Sequence, residues 1–135
     1  MTLSLVTPKD VPYVWVEVKP LIDKALKHTA GEMDSSDVLN LILNKNQVLW
    51  LGLEDEEIFC AGTTELIYYP KKTILRIVTF ASKSGHHYEL WKDFIDTLED
   101  YAHLYKCSAI EAWVRKGLAK KLKWDNEYSV ITKHI

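Results

Sequence analysis

Apolar and polar positions change rhythm several times along the chain, and each rhythm predicts an element. Thr2 to Val6 alternates as a short strand. Thr7-Pro8 opens a helix over residues 8–28, with Thr7 as N-cap, proline at the first helical position, and Pro20 kinking or dividing it. After the break at Thr29-Ala-Gly31, Ser35 or Ser36 with Asp37 caps a second helix carrying Val38, Leu39, Leu41, Ile42 and Leu43. Gln47 to Leu53 is a continuous apolar run, the mark of a strand covered on both faces. The charged turn Glu54-Asp-Glu-Glu57 joins it to a strand over Ile58–Tyr68, and Pro70-Lys-Lys72 turns into another over Thr73–Ala81. From Tyr88 the apolar positions Tyr88, Trp91, Ile95, Leu98, Ala102 and Tyr105 recur every three or four residues, which predicts a long amphipathic helix. Ala109–Val114 reads as a strand, Arg115–Lys123 as a basic helix, and Glu127–His134 as a last strand or hairpin arm.

Connections as short as the two turns after residues 53 and 69 require antiparallel pairing, whereas the long helix permits a parallel crossover. The expected fold class is therefore α/β (α+β). A mixed central sheet carries helices on both faces, in the order β-α-α-β-β-β-α-β-α-β, and residues 1–135 form one domain. In such sheets ligands bind beyond strand ends, near a helix N-terminus, which directs attention to Phe80–His87.

Composition narrows the class. A chain of 135 residues with 47% hydrophobic and 27% charged residues can bury a core without staples. Two cysteines, Cys60 and Cys107, make no disulfide framework, and the start shows no secretory pattern. The apolar runs fall far short of the ~20 residues of a membrane helix. A cytoplasmic protein with reduced thiols and no membrane partner is expected. The net charge of −2 is a cancellation, since residues 106–124 hold six cations and one acid.

The element order, with the glycine-containing turn Ser82-Lys-Ser-Gly-His-His87, the block Glu111-Ala-Trp-Val114 and the block Leu118-Ala-Lys-Lys-Leu-Lys-Trp124, resembles the GNAT acyltransferase superfamily over the whole chain. Small proteins of this outline are carried by tailed phages, so the resemblance extends to a phage origin, in host cytoplasm or virion. It implies acetyl-CoA bound along Thr79, Phe80, Ala81, Ser82, Lys83, Ser84, Gly85, His86 and His87, and an amine acceptor. The family's loop, Gln/Arg-x-x-Gly-x-Gly/Ala, lets backbone N–H groups approach a pyrophosphate closely. Here Gly85 keeps the first glycine, but Ser82 replaces Gln/Arg and His87 replaces the second small residue. Ala119 stands where the family often has the tyrosine that protonates the leaving thiolate, and Lys123-Trp124 replaces Gly-Phe. Two functions follow: an N-acyltransferase with a degenerate cofactor loop, or a GNAT-fold protein that has lost catalysis and serves as a binding or structural component, in a phage particle or against a host factor.

Amine acylation needs a base, and Glu65 and Glu111 are carboxylates inside otherwise apolar strands, where desolvation raises a carboxyl pKa. The competing reading is a structural carboxylate facing water or paired with Arg76. His86-His87 with Glu89, and His103 with Cys107, lack a metal-site spacing, so no metal is expected. Cys107 has no base placed by the sequence, and Cys60 reads as core. Trp50, Trp91 and Trp113 read as core, while Trp15 and Trp124 read as core or as partner anchors. Arg115, Lys116, Lys120, Lys121 and Lys123 form a solvated face, a phosphate patch for a CoA-like ligand, or a site for an acidic protein partner over residues 115–123. Nucleic acid is not expected, since neither a helix-turn-helix nor an RNA-recognition pattern accompanies them.

Overall fold

Five strands form one sheet in the order β1-β2-β3-β4-β5: β1 Thr2–Val6, β2 Val48–Glu54, β3 Glu57–Tyr68, β4 Thr73–Ser82 and β5 Ala109–Ala112. The computed structural model describes residues 2–27, 29, 31–83, 88–113 and 122–135, with backbone alone at 88 and 89. The first four strands are antiparallel neighbours, and β5 joins β4 in parallel after helix α3, Tyr88–Leu104. The sheet is mixed, as the turn lengths predicted.

Helices cover both faces. On one, Val11, Val18, Leu21 and Ile22 of α1 (Val11–Leu26) and Val38 and Ile42 of α2 (Ser35–Leu43) pack on Leu49, Leu51, Ile58, Ala61 and Ala81. On the other, Phe94, Ile95, Leu98 and Ala102 of α3 pack on Trp50, Leu75 and Ile77. Each fully buried side chain of this size contributes about 1.5–3 kcal/mol, so the two seams hold the helices in place.

Several boundaries differ from the sequence expectation. Helix α1 begins at Val11 with Asp10 as N-cap, and Thr7 instead donates its hydroxyl to the Asp10 carboxylate at 3.1 Å. Pro20 does not divide α1, because it sits on the exposed side and Val16, whose carbonyl would have received the missing bond, faces water at 85% exposure. Asp34, not Ser35 or Ser36, caps α2 in a reciprocal box with Asp37.

The C-terminal expectations fare less well. β5 stops at Ala112, and Trp113 is 70% exposed, not core. The ring has moved outside because it lies past the strand and against the Arg76 guanidinium, 4.4 Å from its centre. Trp15 and Trp124 are both half-buried, against the α1 and α3 clusters respectively. Of the basic helix, residues 115–121 lie outside the described residues. The strand expected over Glu127–His134 is absent: Tyr128, Val130 and Ile131 are exposed, and the segment has neither a ladder partner nor a face to bury among the described residues.

Candidate functional site on strand β4

Strand β4 carries an irregularity in its middle. Thr63 of β3 faces Thr79, but the next residue, Thr64, faces Ile77, so Val78 is an extra residue with no partner on β3. Side-chain phase records the same insertion. Leu75 and Ile77 pack towards α3, and the next residue to do so is Phe80, three positions later instead of two.

The pairing of β4 with β5 stops at the same place. Their register runs from Ile74 opposite Ala109 to Ile77 opposite Ala112, and β4 continues to Ser82. Among the described residues, no strand lies against Val78–Ser82 on that side. A bulge at the point where two parallel strands part company re-aims backbone groups, and alternate residues beyond it turn N–H and C=O into the gap.

Most side chains of this stretch are committed elsewhere. The hydroxyls of Thr79 and Thr63 meet at 2.7 Å in a buried pair. Phe80 packs its ring on Trp91 and Phe94, with centres 4.5 and 4.6 Å away, and Ala81 sits in the α1 core. Ser82 is buried, and its carbonyl accepts from the Lys24 ammonium at 2.7 Å. Lys83 is exposed, with its backbone N–H donating to Phe59 at 2.9 Å. Thr79, Phe80, Ala81 and Ser82 therefore offer a ligand backbone more than side chains. Ser84, Gly85, His86 and His87 lie outside the described residues.

The two candidate carboxylates lie on one row. Arg76 of β4 faces Glu65 of β3 on one side and Glu111 of β5 on the other. Because Leu75, Ile77, Ile110 and Ala112 point towards α3, Arg76 and Glu111 project from the opposite face. Arg76 Nε donates to Glu111 Oε1 at 2.6 Å, both side chains being partly exposed, and Trp113 stacks on the guanidinium. Glu111 thus takes the ion-pair reading. Glu65 stands half-buried across from Arg76, just past the step in register at the bulge.

Three features escaped the sequence. Val78 is hidden because every neighbour but Thr79 is apolar, so an extra residue leaves no gap in the pattern. Lys24 reaches a carbonyl 58 residues away, a contact with no local signal. Trp113 was misread because its apolar neighbours suggested a longer strand. The cysteines behave as ordinary packed thiols: burial pushes Cys60 up to about 11 and raises Cys107 also, so neither is held as a reactive thiolate. At the same end of the sheet a half-open depression of about 220 Å³ is lined by Glu54, Asp55, Glu57, Ile58, Phe59 and Lys83.

A five-stranded mixed sheet with helices on both faces is a GNAT-like fold. Solved structures of acetyltransferases share it. A ribosomal-protein-alanine N-acetyltransferase from Brucella melitensis biovar Abortus 2308 superposes with a TM-score of 0.74 at 12% identity, covering 100% of both chains. An aminoglycoside acetyltransferase from an uncultured soil metagenomic sample, in complex with sisomicin, gives 0.73 at 15% identity over 99% of this chain and 94% of that one. A predicted acetyltransferase from Clostridium acetobutylicum, solved with acetyl-CoA, gives 0.67 at 17% identity over 97% and 95%. No family model and no curated protein sequence matches the chain. No helix among the described residues is long and apolar enough to cross a membrane.

Proposed function

We propose that the protein is an N-acyltransferase that binds acetyl-CoA against the open edge of β4 and acylates an amine with Glu65 as general base. The observation that carries this reading is the coincidence of the Val78 bulge with the end of β4–β5 pairing. An extended, amide-bearing arm such as that of CoA fits an edge of that kind, because it can add to the strand as a peptide does. Residues 79–83 would hold it through backbone groups.

When bound, acetyl-CoA supplies the activated acyl carbon as a thioester. Glu65, directly or through one water, takes a proton from the acceptor ammonium, freeing the lone pair that forms the C–N bond as the C–S bond breaks. Position 119 is alanine and supplies no acid, so the second proton that the nitrogen loses as the amide forms would reach the thiolate sulfur through solvent. Glu111 orients Arg76, which in turn faces Glu65. Two proteins of similar fold are an aminoglycoside acetyltransferase and a ribosomal-protein-alanine N-acetyltransferase, which supports an amine acceptor.

A second reading, a GNAT-fold binding or structural protein without catalysis, draws on the three carboxylates beside Lys83 at the end of β4, which disfavour an anionic ligand there. The two readings separate in a calorimetric titration with acetyl-CoA followed by a thiol-release assay over a panel of amines. Micromolar binding with turnover that falls at least tenfold in Glu65→Gln is expected. Absence of binding at near-millimolar ligand overturns the enzyme reading.

A further inference from the structure

We propose that Lys24, reaching from the last turn of α1 to the end of β4, is the cation that recognises the diphosphate-bearing half of a CoA-type ligand. This inference rests on the acyl-CoA reading above and assigns the phosphate recognition within it.

A diphosphate at the end of β4 needs a positive partner, and the sequence places a serine at position 82. Lys24 and Lys83 both stand at that end, the first by its contact with the Ser82 carbonyl and the second as the residue after β4. Lys83 lines the depression that Glu54, Asp55 and Glu57 also line, so three carboxylates offset its single charge. An anion approaching there meets a net negative field.

Lys24 is placed differently. Its Nζ donates to the Ser82 carbonyl at 2.7 Å, which uses one of three N–H donors and fixes the charge beside the point where β4 ends. The nearest acid in sequence, Asp23, is engaged by Lys19 at 2.9 Å, which together with the Ser35 hydroxyl holds its carboxyl below the usual range. Among the described residues Lys24 forms no ion pair. The remaining donors are thus available to a phosphate oxygen, a charge-assisted contact. Because the side chain is already anchored, little further rotamer freedom is lost when the ligand binds.

Affinity measurements on the full chain test this with two probes, CoA and acetyl-pantetheine, the second lacking the diphosphate. Lys24→Gln should weaken CoA binding roughly tenfold or more and leave acetyl-pantetheine unchanged. Lys24→Arg should retain CoA binding, and Lys71→Gln, in the exposed turn at the other end of β4, should change it by less than about threefold. The proposal is overturned if Lys24→Gln binds CoA as the parent does, or if it weakens both probes equally, which is the mark of a structural clamp. If the parent protein binds neither probe, the acyl-CoA reading fails and this assignment falls with it. Parent binding with an indifferent Lys24→Gln removes the assignment alone.

Discussion

Gly62 is the tightest point under the bulge, and Gly62→Ala tests whether close packing there sets the shape of β4. A Cβ at this position would lie 2.9 Å from Phe94 Cζ, 2.9 Å from the Thr79 carbonyl oxygen and 3.2 Å from Phe80 Cδ2. Phe94 is 1% exposed and Thr79 O is backbone, so neither can swing clear. Restoring ordinary contact requires a displacement of roughly half an ångström across β3, β4 and α3, which as overpacking costs about 1–3 kcal/mol. Loss of unfolded-chain entropy returns about 0.4–1 kcal/mol, since Gly62 has no left-handed φ. The balance is a destabilisation of about 1–2 kcal/mol, a fall in Tm of roughly 4–8 °C for a chain of this size. Thermal and urea unfolding with an unchanged m-value measure it. Phe94→Leu added to Gly62→Ala should restore only part of the loss, because the Thr79 carbonyl still obstructs. A Gly62→Ala protein that melts at or above the parent temperature refutes the reasoning, and complete rescue by Phe94→Leu shows that the carbonyl is not the constraint.

Two further effects should be measurable. Burial pushes Cys60 up to about 11, and burial together with Tyr105 and Tyr68 pushes Tyr101 up to about 12. Both stay protonated in the folded protein after their unfolded counterparts ionise. Their contribution is therefore complete below about pH 9 and is lost as pH rises towards those values, with a slope on the order of 1 kcal/mol per pH unit for each. Cys60→Ala should flatten urea-derived stability between about pH 9 and 11, and an unchanged slope would contradict the burial argument. In the β2–β3 turn, Asp55 and Glu56 adopt φ of 50° and 66°. Glu56→Gly should raise stability by about 1 kcal/mol through relief of left-handed strain, read as a higher urea midpoint, and a lower midpoint would exclude that account.

Much of the sheet was legible because its signals are local. The charged turn at 54–57, the proline turn at 70–72 and the three-four spacing of α3 each fix an element without help from distant residues. The site was legible only in outline. Of Phe80–His87 the structure shows that residues 80–82 close β4, and it makes Glu65 and Glu111 neighbours of the same arginine. What the sequence hid is tertiary: a bulge among apolar residues, a lysine that acts 58 positions away, and a tryptophan that stacks on a cation instead of entering the core. The C-terminal strand failed for a related reason. Alternation in Tyr128, Val130 and Thr132 describes what a segment can do beside a partner edge, and supplies no partner.

The row Glu65–Arg76–Glu111 also bears on how β5 finds its place. A four-residue strand of Ala109, Ile110, Glu111 and Ala112 has little apolar pattern with which to choose among alignments. A slip of two residues would keep the same faces in and out yet carry Glu111 away from Arg76. The ion pair with its stacked tryptophan thus works as an address label for the weakest strand in the sheet. Since the point where β5 stops sets where the edge of β4 opens, an ion pair one residue short of that point decides how much of β4 is left without a partner on that side.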